Sequence, residues 1–161
     1  MMRLAIVLAA VMSGGIGCPA VAGQESPLPA LLQEILSHAR PATDLRVHYT
    51  DMSGLYGGDV FALDGSGTLV HTFRDRRGQG GQTSHPVSPD GQEQVVRLLL
   101  AIKAWEQRVP DAPMVPDESR AYLQIDVGSA SSNIWERYSD LDTGNRIRQV
   151  SDLLRSFTRS R

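Results

Sequence analysis

Three short runs between residues 45 and 74 alternate apolar and polar residues, and tight turns separate them. Leu45, Val47 and Tyr49 alternate with Arg46, His48 and Thr50. A period of two sends successive side chains to opposite faces, the pattern of a strand with one buried face. Asp59–Leu63 and Thr68–Arg74 read as a second and third strand, joined by the turn sequence Asp64-Gly-Ser-Gly67. So short a connection permits only antiparallel pairing. Ala121, Leu123, Ile125 and Val127 repeat the alternation, and the run from Gly128 to Ser132 turns into a partner strand at about 133–138.

Three helices complete the pattern. Leu31, Leu32, Ile35, Leu36 and Ala39 recur at helical spacing from Pro29 to Ala39, where Arg40-Pro41 follows and stops the helix. Ser88-Pro89-Asp90 opens a second helix, with Ser88 as N-cap and Pro89 in the first turn. Its buried face is expected from Val95, Leu98, Leu99, Ile102 and Trp105, and Val109-Pro110 ends it. The last helix, about 145–157, presents Ile147, Val150, Leu154 and Phe157. Its Arg155, Arg159 and Arg161 suit the negative end of the helix dipole without further partners. The order α-β-β-β-α-β-β-α predicts an α+β domain, an antiparallel sheet of about five strands with its helices mostly on one face. The thirteen residues from Asp75 to Val87, rich in Arg, Gly and Gln, are expected to be a long loop.

The N-terminus carries a different signal. Arg3, an apolar run from Leu4 to Met12 and the small residues Ala20-Val21-Ala22 are the three parts of a secretory signal peptide. The run is shorter than the roughly 20 apolar residues that cross a bilayer. The chain therefore divides into a signal peptide at 1–22, a lead-in with the first helix at 23–43, and one domain at 44–161. Removing 22 of 161 residues leaves 139, enough to bury a core without staples. Export to the periplasm or beyond is expected. Cys18 is the only cysteine, so cleavage after Ala22 leaves no thiol for a disulfide. Gly15-Ile-Gly-Cys18 offers a second reading, a lipoprotein cleavage box that would make Cys18 a lipidated N-terminus held at the membrane.

The mature charge of about −3, from 15 basic and 18 acidic residues, gives no footprint for nucleic acid. The histidines His38, His48, His71 and His85 show no zinc-type spacing, so neither a metal nor another cofactor is expected. Ser66 lies between two glycines in a hairpin turn and lacks the nucleophile-elbow pattern. Arg77-Gly-Gln-Gly-Gly81 lacks the Lys-Ser/Thr of a phosphate loop. One enzymatic arrangement remains open, a dispersed site of His48, Asp51 and His71. It requires the three side chains to converge.

The absence of a catalytic constellation favours a non-enzymatic domain that binds a protein partner through loops on a rigid scaffold. The loops Ser53–Gly58 and Arg74–Gln82 flank one hairpin and must emerge at the same end of the sheet. Leu55, Tyr56, Arg76 and Arg77 are then expected on a single rim, as a candidate binding site.

Several short features share a common layout. Ser53-Gly-Leu-Tyr-Gly-Gly58 follows the first strand, Ser88 opens a helix containing Leu98-Leu99-Leu100, and Pro116-Asp117 precedes the strand Tyr122-Leu-Gln-Ile125. With the closing amphipathic helix, the region from Leu45 to Phe157 resembles the emfourin-like small protein inhibitors of thermolysin-type metallopeptidases. The resemblance implies inhibition of a peptidase and designates no inhibitory residue. The chain departs from that layout in its export signal, its first helix and its Arg/Gly-rich loop. The alternatives are an accessory envelope lipoprotein of structural role, resting on Cys18, and the envelope enzyme built on His48, Asp51 and His71.

Overall fold

The structure, a computed structural model, describes residues 26–53, 55–110, 113, 118–142 and 144–159. The segment expected to be a signal peptide, its expected cleavage site and Cys18 lie outside the described residues. Helix α1 spans Leu28–Leu36, β1 Leu45–Thr50, β2 Gly58–Leu63, β3 Thr68–Arg74 and β4 Gly80–Pro86. Helix α2 (Pro89–Ala101), β5 (Arg120–Val127), β6 (Ala130–Arg137) and α3 (Arg146–Phe157) follow. The strands form one fully antiparallel sheet in the order β4-β3-β2-β1-β5-β6.

Alternation decides which face is buried. Leu45, Val47 and Tyr49 share a row with Phe61, Leu63 and Leu69, and with Ala121, Leu123, Ile125 and Val127. The helices contribute Leu28, Leu32 and Ile35, then Val95, Val96 and Leu99, then Ile147, Val150 and Leu154 to the same core. Each large aliphatic side chain buried this way stabilises the fold by about 1.5–3 kcal/mol. All three helices therefore cover one face of an α+β sandwich, as expected. Among the described residues, no helix is long and apolar enough to cross a membrane.

The strand count is six, one more than the alternation predicts. Residues 75–87 are not a long loop: Asp75–Gly78 turns, and Gly80–Pro86 pairs with β3 along its whole length. This strand is nearly all exposed, so it needs no apolar face and leaves no period-two signal. Strand β6 begins at Ala130 rather than about 133, because Gly128 and Ser129 alone make the turn, with Gly128 at φ +59°.

Both early helices end sooner than their apolar stripes suggest. Helix α1 stops at Leu36, where His38 takes φ +59° and the amides of Ala39 and Arg40 both turn back to Glu34 O. Helix α2 is capped by Ser88 Oγ accepting the Gly91 amide at 3.2 Å, as predicted. It ends at Ala101 and not at Val109-Pro110, since Lys103 takes φ +50° and reverses the chain. Ala104, fully buried, then occupies the core position. Trp105 is consequently half-buried beyond the helix, not a core anchor on its face.

That reversal has a second effect. The segment after α2 runs along the outer edge of β6, where the Gln107 amide donates to Trp135 O and accepts from Trp135 N, both at 2.8 Å. Ser132 Oγ also donates to Trp105 O at 3.2 Å. One side-chain amide thus satisfies the two outward backbone groups of a strand residue, as a neighbouring strand would.

Candidate functional site

One end of the sheet gathers the end of β1, the β2–β3 strand termini, the start of β4, the start of β5 and the end of β6. The four exposed large hydrophobic residues among those described all sit at this end: Leu55 (69% exposed), Tyr56 (55%), Phe73 (42%) and Tyr138 (47%). Isolated exposed apolar residues are ordinary; here Tyr56 and Tyr138 line one groove together, while Phe73 on β3 lines a separate one.

The loop carrying Leu55 and Tyr56 is tightly built. Ser53 N donates to Gly57 O at 2.7 Å, and Gly57 N returns to Ser53 O at 3.2 Å. Ser53 Oγ accepts from the amides of Leu55 and Tyr56 at 3.3 and 3.4 Å. Gly57 sits at φ +73° against the carbonyl of Arg74, where a β-carbon would collide with backbone. Arg74 Nη2 donates to Ser53 O at 3.1 Å, tying the loop to β3.

The loop is also held from below. Asp59 N donates to Asp51 Oδ1 at 2.6 Å, while Tyr49 OH donates to Asp51 Oδ2 at 2.9 Å. Asp59 Oδ1 meets His71 Nε2 and its Oδ2 meets Arg155 Nη2, each at 2.7 Å. His71 stacks on Phe61 with ring centroids 4.4 Å apart. Burial, then the nearby Asp51 charge, pushes the Tyr49 hydroxyl well above the ordinary tyrosine range. Arg155 therefore has specific carboxylate partners, contrary to the expectation that the helix dipole alone accounts for it. Asp59 lies 96 residues away, so sequence spacing gives no hint of the pair.

The second loop meets the first. Asp75 Oδ1 accepts from the amides of Arg77 and Gln79, and Gly78 at φ +76° closes the turn. The turn projects Arg76 over the Tyr56 ring, with Cζ 5.6 Å from its centroid. Leu55, Tyr56, Arg76 and Arg77 thus share one rim, and Arg77 is exposed there. Neither Arg76 nor Arg77 forms an ion pair with a described residue.

A wall that the sequence reading missed completes the site. Arg120 and Arg137 are opposed across β5 and β6, and Glu118 bridges them at 2.9 Å to each. The Arg120 hydrogen bond, followed by that of Arg137, holds the Glu118 carboxyl below the usual range. Arg120 also lies 3.7 Å over the Trp135 ring. Between this wall and the Tyr56–Arg76 pair runs a groove of about 540 Å³, which Tyr138 also lines. The clue in the sequence was Glu118 two residues before Arg120, but Arg137 enters only through the strand register.

His48, Asp51 and His71 do not converge. His48 projects from the face away from the helices, beside Ala62 and Gln124, whereas His71 lies on the helix side opposite Phe61. Asp51 is committed to Tyr49 and to the Asp59 amide. Among the described residues, no three His, Cys, Asp or Glu side chains could hold a metal ion. Ser66 serves its turn, donating to Asp64 Oδ1 at 2.6 Å. No protein-family model matches this chain, and curated proteins give no match either.

Proposed function

We propose that this chain is an exported, non-enzymatic domain that binds a protein partner through the rim of Leu55, Tyr56, Arg76 and Arg77, and that the partner is a peptidase which it inhibits. The observation that carries the reading is that every exposed large hydrophobic residue described lies at one end of the sheet, with Leu55 and Tyr56 beside two arginines that have no ion-pair partner among the described residues. Tyr and Arg are the residue types that most often carry interface energy. The loop's internal hydrogen bonds reduce the ordering cost of binding. Export rests on the N-terminal charge, apolar run and small-residue site. The peptidase follows from the resemblance of the Leu45–Phe157 region to the emfourin-like inhibitors.

The test is titration of the exported protein into a thermolysin-type metallopeptidase cleaving a peptide substrate. Stoichiometric inhibition that Tyr56→Ala relieves supports the whole reading. If hydrolysis is unaffected, the peptidase is the wrong partner. Capture from the native envelope, wild type against Tyr56→Ala, then tests the rim by itself.

A further inference from the structure

The two lateral edges of the sheet are treated differently. Strand β6 is covered at Trp135 by Gln107. Strand β4 pairs only with β3. The bonds Asp75 N to Gln79 O and Val87 N to Gly67 O, both 2.7 Å, frame the β3–β4 ladder. The alternation between them turns Gln79, Gly81, Thr83, His85 and Val87 toward β3. The amides and carbonyls of Gly80, Gln82 and Ser84, with the carbonyl of Pro86, therefore point outward. Among the described residues nothing covers them.

Exposed edges are ordinarily guarded by charged side chains, prolines within the strand, bulges or a covering segment. Gly80-Gly-Gln-Thr-Ser-His-Pro86 has no carboxylate, lysine or arginine, and its proline comes last. We propose that β4 is the pairing edge for β4 of a second copy, joined antiparallel about a two-fold axis at Thr83. This inference is independent of the rim reading.

Three features favour a second copy over a foreign segment. An uncharged strand meets itself without the repulsion that opposed like charges would bring. The two-fold register sets Gln82 opposite Ser84, so their outward amides and carbonyls exchange both bonds, and it sets Thr83 opposite Thr83, a favourable cross-strand pair. The same register puts His85 of one copy opposite Gly81 of the other. Gly81 has no side chain to shield the neighbouring Phe73 ring, which is 42% exposed and lies where its β-carbon would just touch. The imidazole of the second copy, which in the single chain meets its own Thr83 Oγ1 at 2.9 Å, stands over that gap once the strands pair. The result is isologous, as in most homodimers.

Sedimentation velocity of the exported protein from low to high micromolar concentration reads the association. The sedimentation coefficient is expected to rise toward that of a dimer. In Ser84→Pro, which removes an outward N–H that β3 does not use, it should stay at the monomer value with an unchanged Tm. Thr83→Cys supplies a readout that does not depend on tolerance of proline. The facing non-bonded pair should oxidise to a disulfide-linked dimer, absent from the wild type. A wild type that stays monomeric throughout, a dimer that persists in Ser84→Pro, or a Thr83→Cys chain that fails to cross-link would each overturn the proposal. A monomer that instead captures a foreign strand through β4 would also overturn it.

Discussion

Arg155 on the last helix holds Asp59, the second residue of β2, at 2.7 Å between Nη2 and Oδ2. Asp59 passes that restraint on, since its other oxygen meets His71 and its amide is bound by Asp51. Both ends of the loop bearing Leu55 and Tyr56 are thereby tied to α3. The pair is about three-quarters buried on each side, so it escapes much of the screening that weakens surface ion pairs. Arg155→Ala leaves Asp59 with His71 alone and should cost about 1–3 kcal/mol in urea denaturation. It should also weaken partner binding without touching the rim. A loss below about 0.5 kcal/mol, the scale of a surface change, would mean the loop is not held from α3.

Rim substitutions should behave in the opposite way. Tyr56→Ala and Arg76→Ala remove exposed side chains whose described contact is with each other, so stability should change by no more than about 0.5 kcal/mol. Calorimetric titration against the partner should show each weakening binding at least tenfold, about 1.4 kcal/mol. Unchanged affinity in the double variant would remove the rim from consideration.

Tyr49 is expected to make the folded state lose stability at alkaline pH. Its folded pKa is raised, so the folded state favours the neutral phenol, which donates to Asp51. In the unfolded chain the phenol ionises near its ordinary value of 10.0. The stabilisation is thus complete below pH 10 and declines as pH rises above it. Tyr49→Phe should flatten this decline and cost about 1–3 kcal/mol at neutral pH, because Asp51 loses a buried donor. Denaturant midpoints between pH 8 and 11 provide the measurement, and equal slopes in wild type and Tyr49→Phe would contradict the assignment.

Trp105 provides a check on where α2 ends. Emptying an aromatic core site costs about 3–5 kcal/mol. Because Trp105 lies half-buried past the helix, Trp105→Ala is expected to cost only about 1–2 kcal/mol. A core-sized loss in thermal denaturation would show that the tryptophan bears on the sheet after all.

Cleavage at the small-residue site proposed for export should leave a chain beginning at Gly23. Intact-mass measurement after native export decides this, and a diacylglyceryl-modified Cys18 would instead place the chain on the membrane.

Elements that bury one face were legible from residue order. Strands β1 and β5 each bury every second residue, and that periodicity is written in the sequence itself. The shared rim of Tyr56 and Arg76 was legible too, since antiparallel geometry alone brings the two loops together. Strand β4 was not, because an edge exposed on both faces carries no hydrophobic period. Nor was the Glu118–Arg137 wall, whose members are 19 residues apart in sequence and adjacent only in register. The early stop of α2 depends on one left-handed residue, Lys103, of a type that gives no composition cue for φ above zero.

The Gln107 amide on Trp135 also bears on how far this protein can assemble. A sheet open on both sides is a bivalent monomer in the polymer sense, because every addition creates a fresh end. Here the β6 side carries the chain's own Gln107 side chain at Trp135, which a strand pairing through that residue would have to displace. A strand approaching β6 is hindered at its Trp135 position, whereas a two-fold pairing at β4 uses the same edge of both copies and so closes on itself.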